Sequence, residues 1–269
     1  MNFSPAQLLA RVRANKPVVH HLTNWVTIYD CAQVVKTLGA SPVMAHAPEE
    51  MADMVQIASA LVLNIGTLTT DFVEAMLLAA KAANQLGIPV VLDACGAGAT
   101  RMRDQQCQNL LNNSRIDIIK GNQSEIARIA GHNVRTRGVD AEEVQSDLVS
   151  LAMGLAKSRN ATVVITGKQD VVASPAAAVL VNNGHELMTS VVGTGCMAAS
   201  VIGTFAAIEE DHVAAAASAL ACYEIAAELA AARQDCPGPA SFKQYLFDAL
   251  YTLDENTITL RQKLETRNI

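Results

Sequence analysis

The sequence predicts an α/β fold: one mainly parallel central sheet with helices on both faces. Three observations carry this. Short apolar runs alternate with helical stretches along the 269 residues, the order that gives parallel strands joined by crossover helices. The composition, 51% hydrophobic and 17% charged, excludes disorder. No linker, repeat, low-complexity tract or charge block divides the chain, so residues 1–269 are expected to form a single domain.

In order, Ser4-Pro5 supplies an N-cap and first-turn proline for a helix running through Arg13. Strand-like runs follow at 18–22, 42–45, 60–65, 89–93, 116–119 and 162–166, with helical stretches at 70–86 and 139–158 between them. The pattern then changes to a hairpin, 170–174 and 178–181, turned at Pro175. From Gly195 onward everything reads helical. The most apolar run, 213–231, is mostly alanine and carries Glu224 and Glu228, which marks a buried or interface helix rather than a membrane span.

A net charge of -6 gives no electrostatic reason to bind nucleic acid or an anionic membrane. The charge of a polyanionic substrate must then be met locally or by a metal. Six cysteines show no C-x-x-C pair and no secretory leader precedes them, so reduced thiols in the cytoplasm are expected.

Open parallel sheets bind ligands beyond the carboxyl ends of their strands. Polar residues and glycines gather there: Thr23 to Val26, Met44 to His46, Asn64 to Thr67, Asp93 to Thr100, Lys120 to Glu125, and Thr166-Gly167. Val191 to Ser200 is a glycine turn opening a small-residue helix. Gly193 and Gly195 let the backbone turn tightly, and the helix start offers unpaired N–H groups and a positive dipole end, together an anion site. Cys196 shares that turn, where a helix N-terminus lowers a thiol pKa from its usual value of about 8.5. A glycine-rich turn before an alanine-rich helix with a buried cysteine is the plain structural alternative.

Asn122 and Glu125 are three apart at a helix start and share one face. They suit a hydrated Mg²⁺, or else form an ordinary capping box, the commoner use of that spacing. Asp93 closes an apolar strand, where a lone carboxylate is a ligand, a catalytic group or an N-cap. Asp93 and Glu125 are placed to share one cation, with Lys120 as a point charge on phosphate oxygens. Joined to the anion-binding turn, these parts make a phosphoryl-transfer site.

The series Thr23-Asn24, Gly39 to Ala45, Asn64 to Leu68, Lys120-Gly121-Asn122-x-x-Glu125-Ile126, Val164 to Gly167, Val192 to Cys196 and Gly238-Pro239-x-Ser241-Phe242 resembles hydroxyethylthiazole kinase of thiamine salvage over nearly the whole chain. The resemblance implies a ribokinase-like fold, a homotrimer with thiazole sites between subunits, and ATP-dependent phosphorylation of 4-methyl-5-(2-hydroxyethyl)thiazole. It implies that Met44 and Gly193 contact the thiazole, with Asn24 and Val26 near it. Lys120 and Thr166 would contact ATP, with Thr194 and Gly195 in the phosphate-binding turn. Asp93 and Glu125 would serve magnesium. Cys196 would stand where most of the superfamily places an aspartate base.

The chain departs from the family in two places. Tyr29 and Gln33 occupy positions usually held by asparagines, and the D-P-V-G-x-G-A motif reads Asp93-Ala94-Cys95-Gly96-Ala97-Gly98-Ala99. Those departures keep open a kinase for another hydroxylated heterocycle, a nucleotide-using repair dehydratase, or a non-catalytic binding paralogue. His20 and His21 lack a metal partner at recognisable spacing and are expected to be structural. Trp25 either stacks on a substrate ring or packs; Cys107 and Cys222 are expected to be buried.

Overall fold

Among the described residues nine strands join in one sheet, ordered β2-β1-β3-β4-β5-β6-β7-β8-β9. They are β1 Val18–Leu22, β2 Ser41–Val43, β3 Ala60–Asn64, β4 Val90–Asp93, β5 Ile118–Asn122, β6 Thr162–Thr166, β7 Asp170–Ala173, β8 Ala177–Val181 and β9 Leu264–Asn268. The helices are α1 Pro5–Asn15, α2 Ile28–Thr37, α3 Met51–Gln56, α4 Thr70–Leu86, α5 Arg101–Asn113, α6 Gln123–Ile129, α7 Ala141–Arg159, α8 Thr194–Ala206, α9 His212–Ala231, α10 Pro239–Thr252 and α11 Glu255–Arg261. The computed structural model describes residues 3–131 and 141–268; Val139 and Asp140, expected to begin a helix, lie outside them.

Strands β1 to β6 pair in parallel, and β6 to β9 continue as an antiparallel meander. Side chains alternate across each strand, so neighbouring residues serve opposite cores. Val62, Val91, Ile118 and Val164 pack toward α1, α2, α8, α9 and α10. Leu61, Leu63, Leu92, Ile119 and Val163 pack toward α3, α4, α5 and α7. The sheet is thus covered on both faces, which explains why its strands read as continuous apolar runs.

The expected helix at 70–86 is α4, and Ser4 caps α1 by accepting Gln7 N. Helix α9 is buried along most of its length against α1, α8 and α10; its alanines permit that close approach. At Gly203 helix α8 lies directly on the sheet, where a Cβ would collide with Val62 Cγ2.

Two expectations need correction. The fifth strand runs 118–122 rather than 116–119, because Asp117 turns its carboxylate to Val90 N and Arg115 while Asn122 still pairs with Thr166. Lys120 is therefore a strand residue. The tail is not wholly helical: Leu264–Asn268 adds to β8 as β9. Its alternating polar sequence concealed a strand with an exposed face, the composition that blunts a sheet edge.

Candidate active site

The chain passes from β1 to β2 on one side and then to β3 on the other, so strand order reverses between β1 and β3. Such a switch point opens a crevice at the carboxyl ends of the strands. Asn24, just past β1, and Asn64, closing β3, meet across it: Asn24 Nδ2 donates to Asn64 Oδ1 at 3.1 Å. Asn24 Oδ1 accepts from Val26 N, Thr27 N and Thr27 Oγ1 at 3.0–3.1 Å, which fixes the amide's orientation. Its Nδ2 also donates to Cys196 Sγ at 3.2 Å.

From there the bonds form a ring. Asn64 Nδ2 donates to Asp93 Oδ2 at 2.7 Å, and Lys120 Nζ donates to Asp93 Oδ1 at 3.2 Å. Lys120 Nζ also donates to Gly195 O at 2.9 Å, beside Cys196. The ends of β1, β3 and β4, the middle of β5 and the first turn of α8 are thereby held by one polar circuit. Asp93 is wholly buried and Lys120 is 4% exposed. Burial pushes the Asp93 carboxyl up, and the Lys120 ammonium offsets this only in part. Burial opposes the charge on Lys120 too, but Asp93 and the neighbouring acids outweigh it and hold the ammonium form.

Gly193 begins α8 at φ +95° and supplies no side-chain cap. Only glycine fits closely here, since a Cβ would stand 2.5 Å from Thr27 Cγ2. The N–H groups of Thr194, Gly195 and Cys196 open the helix with no capping side chain before them, the arrangement that receives an anion. The Cys196 thiol is lowered to about 5, first by a hydrogen bond from Cys95, then by Thr27, Lys120 and Asn64, against the opposing effect of burial. Cys95, the donor of that bond, is raised.

Glu125 makes the capping box that its spacing allows and fastens a neighbouring loop as well. It completes a capping box, with Oε2 accepting Asn122 N at 2.7 Å while Asn122 Oδ1 accepts Glu125 N at 2.9 Å. Its Oε1 accepts Gly96 N at 2.7 Å and so fastens the loop after β4. Thr166, in register with Asn122, borders a cleft of about 750 Å³ that also reaches Gly167, Thr194, Gly195, Tyr223 and Glu224.

Met44 and Val26 stand apart from the polar ring. Val26 is 68% exposed, and Met44 lies in the loop where Trp25 meets His46 edge-on at 5.1 Å and Phe72 at 5.2 Å. Trp25 is thus a packing residue that keeps an exposed face. His20 and His21 are buried on backbone carbonyls of Ala45 and Val19, as expected of structural histidines. Cys107 and Cys222 are buried.

Asn64 belongs to the Asn64 to Leu68 stretch of the family series but is given no role there, and Arg103, Asp170 and Glu224 lie outside that series. Arg103 donates to Ile65 O, Gly66 O and Cys95 O at 2.7–3.1 Å, joining the loops after β3 and β4. Asp170 and Glu224 line the same cleft, and burial pushes both carboxyls up.

The class follows from architecture: a mainly parallel sheet covered on both faces, with an anion-receptive helix start at its switch point, whose fold matches ribokinase-like structures. A ribokinase-like superfamily protein from Enterococcus faecalis superposes with a TM-score of 0.62 over 95% of this chain and 99% of its own at 14% identity, a likeness of fold. The family is shown by the sequence: the model of the hydroxyethylthiazole kinase family matches residues 9–256, and the chain belongs to that family. A hydroxyethylthiazole kinase of Methanosarcina mazei is 52% identical over 257 residues, 96% of this chain and 98% of that one. The hydroxyethylthiazole kinase structure from Pyrococcus horikoshii superposes with a TM-score of 0.90 at 39% identity, over 98% of this chain and 99% of that one. Membership makes the chain an enzyme that performs ATP-dependent phosphotransfer.

Proposed function

We propose that this chain phosphorylates the side-chain hydroxyl of 4-methyl-5-(2-hydroxyethyl)thiazole at the switch-point crevice, with Cys196 as the group that accepts the hydroxyl proton. The observation that carries this is the acidified Cys196 thiol in the open first turn of α8, held by Asn24 Nδ2 at 3.2 Å. Thr194, Gly195 and the α8 N–H groups receive the γ-phosphate, and charge developing there is met by fixed dipoles. Lys120 spends two bonds on Asp93 and Gly195 O, and its third N–H remains for a phosphate oxygen. Thr166 borders the nucleotide's cleft. Met44, Gly193, Asn24 and Val26 line the acceptor side.

Magnesium fits the donor chemistry of this corner, since Asp93 and Glu125 are oxygen ligands. Each of their carboxylate oxygens already accepts a hydrogen bond, so they would hold the ion through waters it retains. Bound there, it would neutralise phosphate charge.

The same reading makes residues 1–269 one ribokinase-like domain acting in the cytoplasm as a homotrimer with acceptor sites between subunits. Val26, Tyr29 and Val192 support the trimer: all are 68–74% exposed, and Gly193, the neighbour of Val192, closely approaches Thr27, the neighbour of Val26. Tyr29, a departure from the family pattern, thus lies on the outside of the subunit. Light scattering should give three times the chain mass.

The test is ADP release from Mg²⁺-ATP with hydroxyethylthiazole, hydroxymethylpyrimidine, pyridoxal or no acceptor. Turnover confined to the thiazole is expected; equal turnover with another acceptor would overturn the substrate assignment.

A further inference from the structure

Strand β1 ends at Leu22 and leads directly to Asn24 and Val26, while Met44 reaches the acceptor side from the loop after β2. Two ties join these walls. At the rim the rings of Trp25 and His46, both exposed, meet edge-on at 5.1 Å. At the base His20 is wholly buried, and its Nε2 lies 2.8 Å from Ala45 O, the carbonyl next along the chain from Met44. A carbonyl oxygen only accepts, so Nε2 carries a proton and donates it. Burial pulls the His20 pKa down, so the ring is neutral at pH 7 and Nδ1 is bare; Nδ1 has no hydrogen-bond partner among the described residues.

The backbone of His20 also stands in register with Val43, the last residue of β2. Beyond Val43 the chain leaves the sheet. Among the described residues, the side-chain hydrogen bond that reaches residues 44–46 from elsewhere in the fold is the one from His20. His20 thus grips the chain on both sides of Met44, by main chain before it and by side chain after it.

We propose that His20 is a positioning residue for the acceptor: by holding Ala45 O it fixes Met44 relative to Asn24 and Val26, and so sets the affinity for the thiazole alcohol. This rests on the reading of Met44 as an acceptor contact. A methionine side chain is unbranched and flexible, so its thioether presents a defined surface only where the backbone beneath it is held. Without the donor, Ala45 O faces a buried side chain unpaired; the loop must turn that carbonyl toward water, and Met44 moves with it. Thr166, at the nucleotide's cleft, ends β6, and β3, β4 and β5 lie between that strand and β1. An effect passing through Met44 therefore falls on the acceptor and spares ATP.

The experiment is steady-state kinetics of the full-length enzyme, varying the thiazole alcohol and Mg²⁺-ATP in turn, for wild type, His20→Met, His20→Gln and Met44→Ala. Methionine keeps bulk and loses the donor, whereas the glutamine amide places an N–H at the reach of Nε2. His20→Met should raise KM for the thiazole alcohol at least tenfold, with kcat and KM for ATP within twofold of wild type. His20→Gln should recover to within threefold, and Met44→Ala should raise the same KM. A rise shared by both substrates, or an equal rise in His20→Gln and His20→Met, would mean lost packing rather than a lost tie and overturns the proposal. So does an unchanged KM in His20→Met beside a raised one in Met44→Ala. An unchanged KM in Met44→Ala overturns the reading of Met44, and the proposal with it. Proton NMR of the wild type gives a test that no folding failure can remove. Saturating thiazole alcohol should slow solvent exchange of the His20 Nε2–H at least tenfold, since the loop is then held from both sides, and an unaltered rate overturns the proposal.

Discussion

Replacing Asn24 by aspartate keeps the shape of the side chain and its ability to accept from Val26 N, Thr27 N and Thr27 Oγ1. What it removes is the N–H donor to Asn64 Oδ1 and Cys196 Sγ, and what it adds is negative charge 3.2 Å from the sulfur. At that distance and an effective dielectric of about 20, two unit charges repel by about 5 kcal/mol. Water at a half-exposed site screens part of this. Half the repulsion still corresponds to roughly 2 pKa units. The Cys196 thiol, now at about 5, should therefore titrate near or above neutrality in Asn24→Asp. The assay is the pH dependence of alkylation at Cys196 by iodoacetamide, resolved by peptide mapping from Cys95 and Cys236, with kcat/KM measured alongside. A loss of roughly twofold in kcat/KM at pH 7, growing toward tenfold per unit as pH falls below it, is expected as the thiolate fraction falls. Asn24→Ala loses the donor without adding charge and should shift the thiol less, by about 1 unit. An Asn24→Asp enzyme whose alkylation midpoint and pH–rate profile match the wild type would refute the reasoning that the Asn24 amide sets the acidity of Cys196.

Phosphoryl transfer depends chiefly on positioning, so Cys196→Ala should retain activity within about a hundredfold of wild type, and Cys196→Asp should equal or exceed it. Complete loss in folded Cys196→Ala, read in the ADP assay, would make the thiolate indispensable. Gly193→Ala combines a φ of +95° with a Cβ 2.5 Å from Thr27 Cγ2 and should destabilise by about 2–3 kcal/mol, with a raised KM for the acceptor; chemical denaturation and kinetics report each. His21, 1% exposed, is pushed down to about 4 by burial, so the unfolded chain binds a proton between pH 6.5 and 4 that the folded chain refuses. Stability from this residue is present above that window and is lost as pH falls through it. From pH 7 to 4.5 the wild type should lose about 2.5 kcal/mol more than His21→Gln in urea titrations, and equal losses would contradict the assignment.

Much of the site is legible because its residues interrupt apolar strands. Asn64 and Asp93 each close a run of buried Val, Leu or Ile, and the glycines before Cys196 announce a turn that only a ligand or a close approach requires. What the linear pattern hides is pairing. Lys120 reads as a free phosphate charge, yet the register of β4 with β5 sets it against Asp93, and two of its three N–H groups are already engaged. Glu125 reads as cap or ligand, and the fold spends one oxygen on the cap and the other on Gly96. Arg103 lies on a polar helix face with nothing to distinguish it from a surface cation, since the carbonyls it binds belong to loops distant in sequence. Glu224 looks like an interruption of an alanine helix until Asp170, from a strand over fifty positions earlier, is brought beneath it. Tertiary proximity of this kind has no periodicity to betray it.

Gly203 takes no part in the chemistry, yet it seats helix α8 on Val62 with no room for a methyl group. Cys196, the proposed proton acceptor, rides on the same helix two turns toward its start. A Gly203→Ala enzyme would therefore carry an intact complement of reactive groups on a helix lifted off its bearing. A displacement of about 1 Å at that centre is enough to cost roughly a hundredfold in rate. The tolerance to which this enzyme is machined is thus set partly at the contact between one helix and one strand, where a search confined to polar residues would never look.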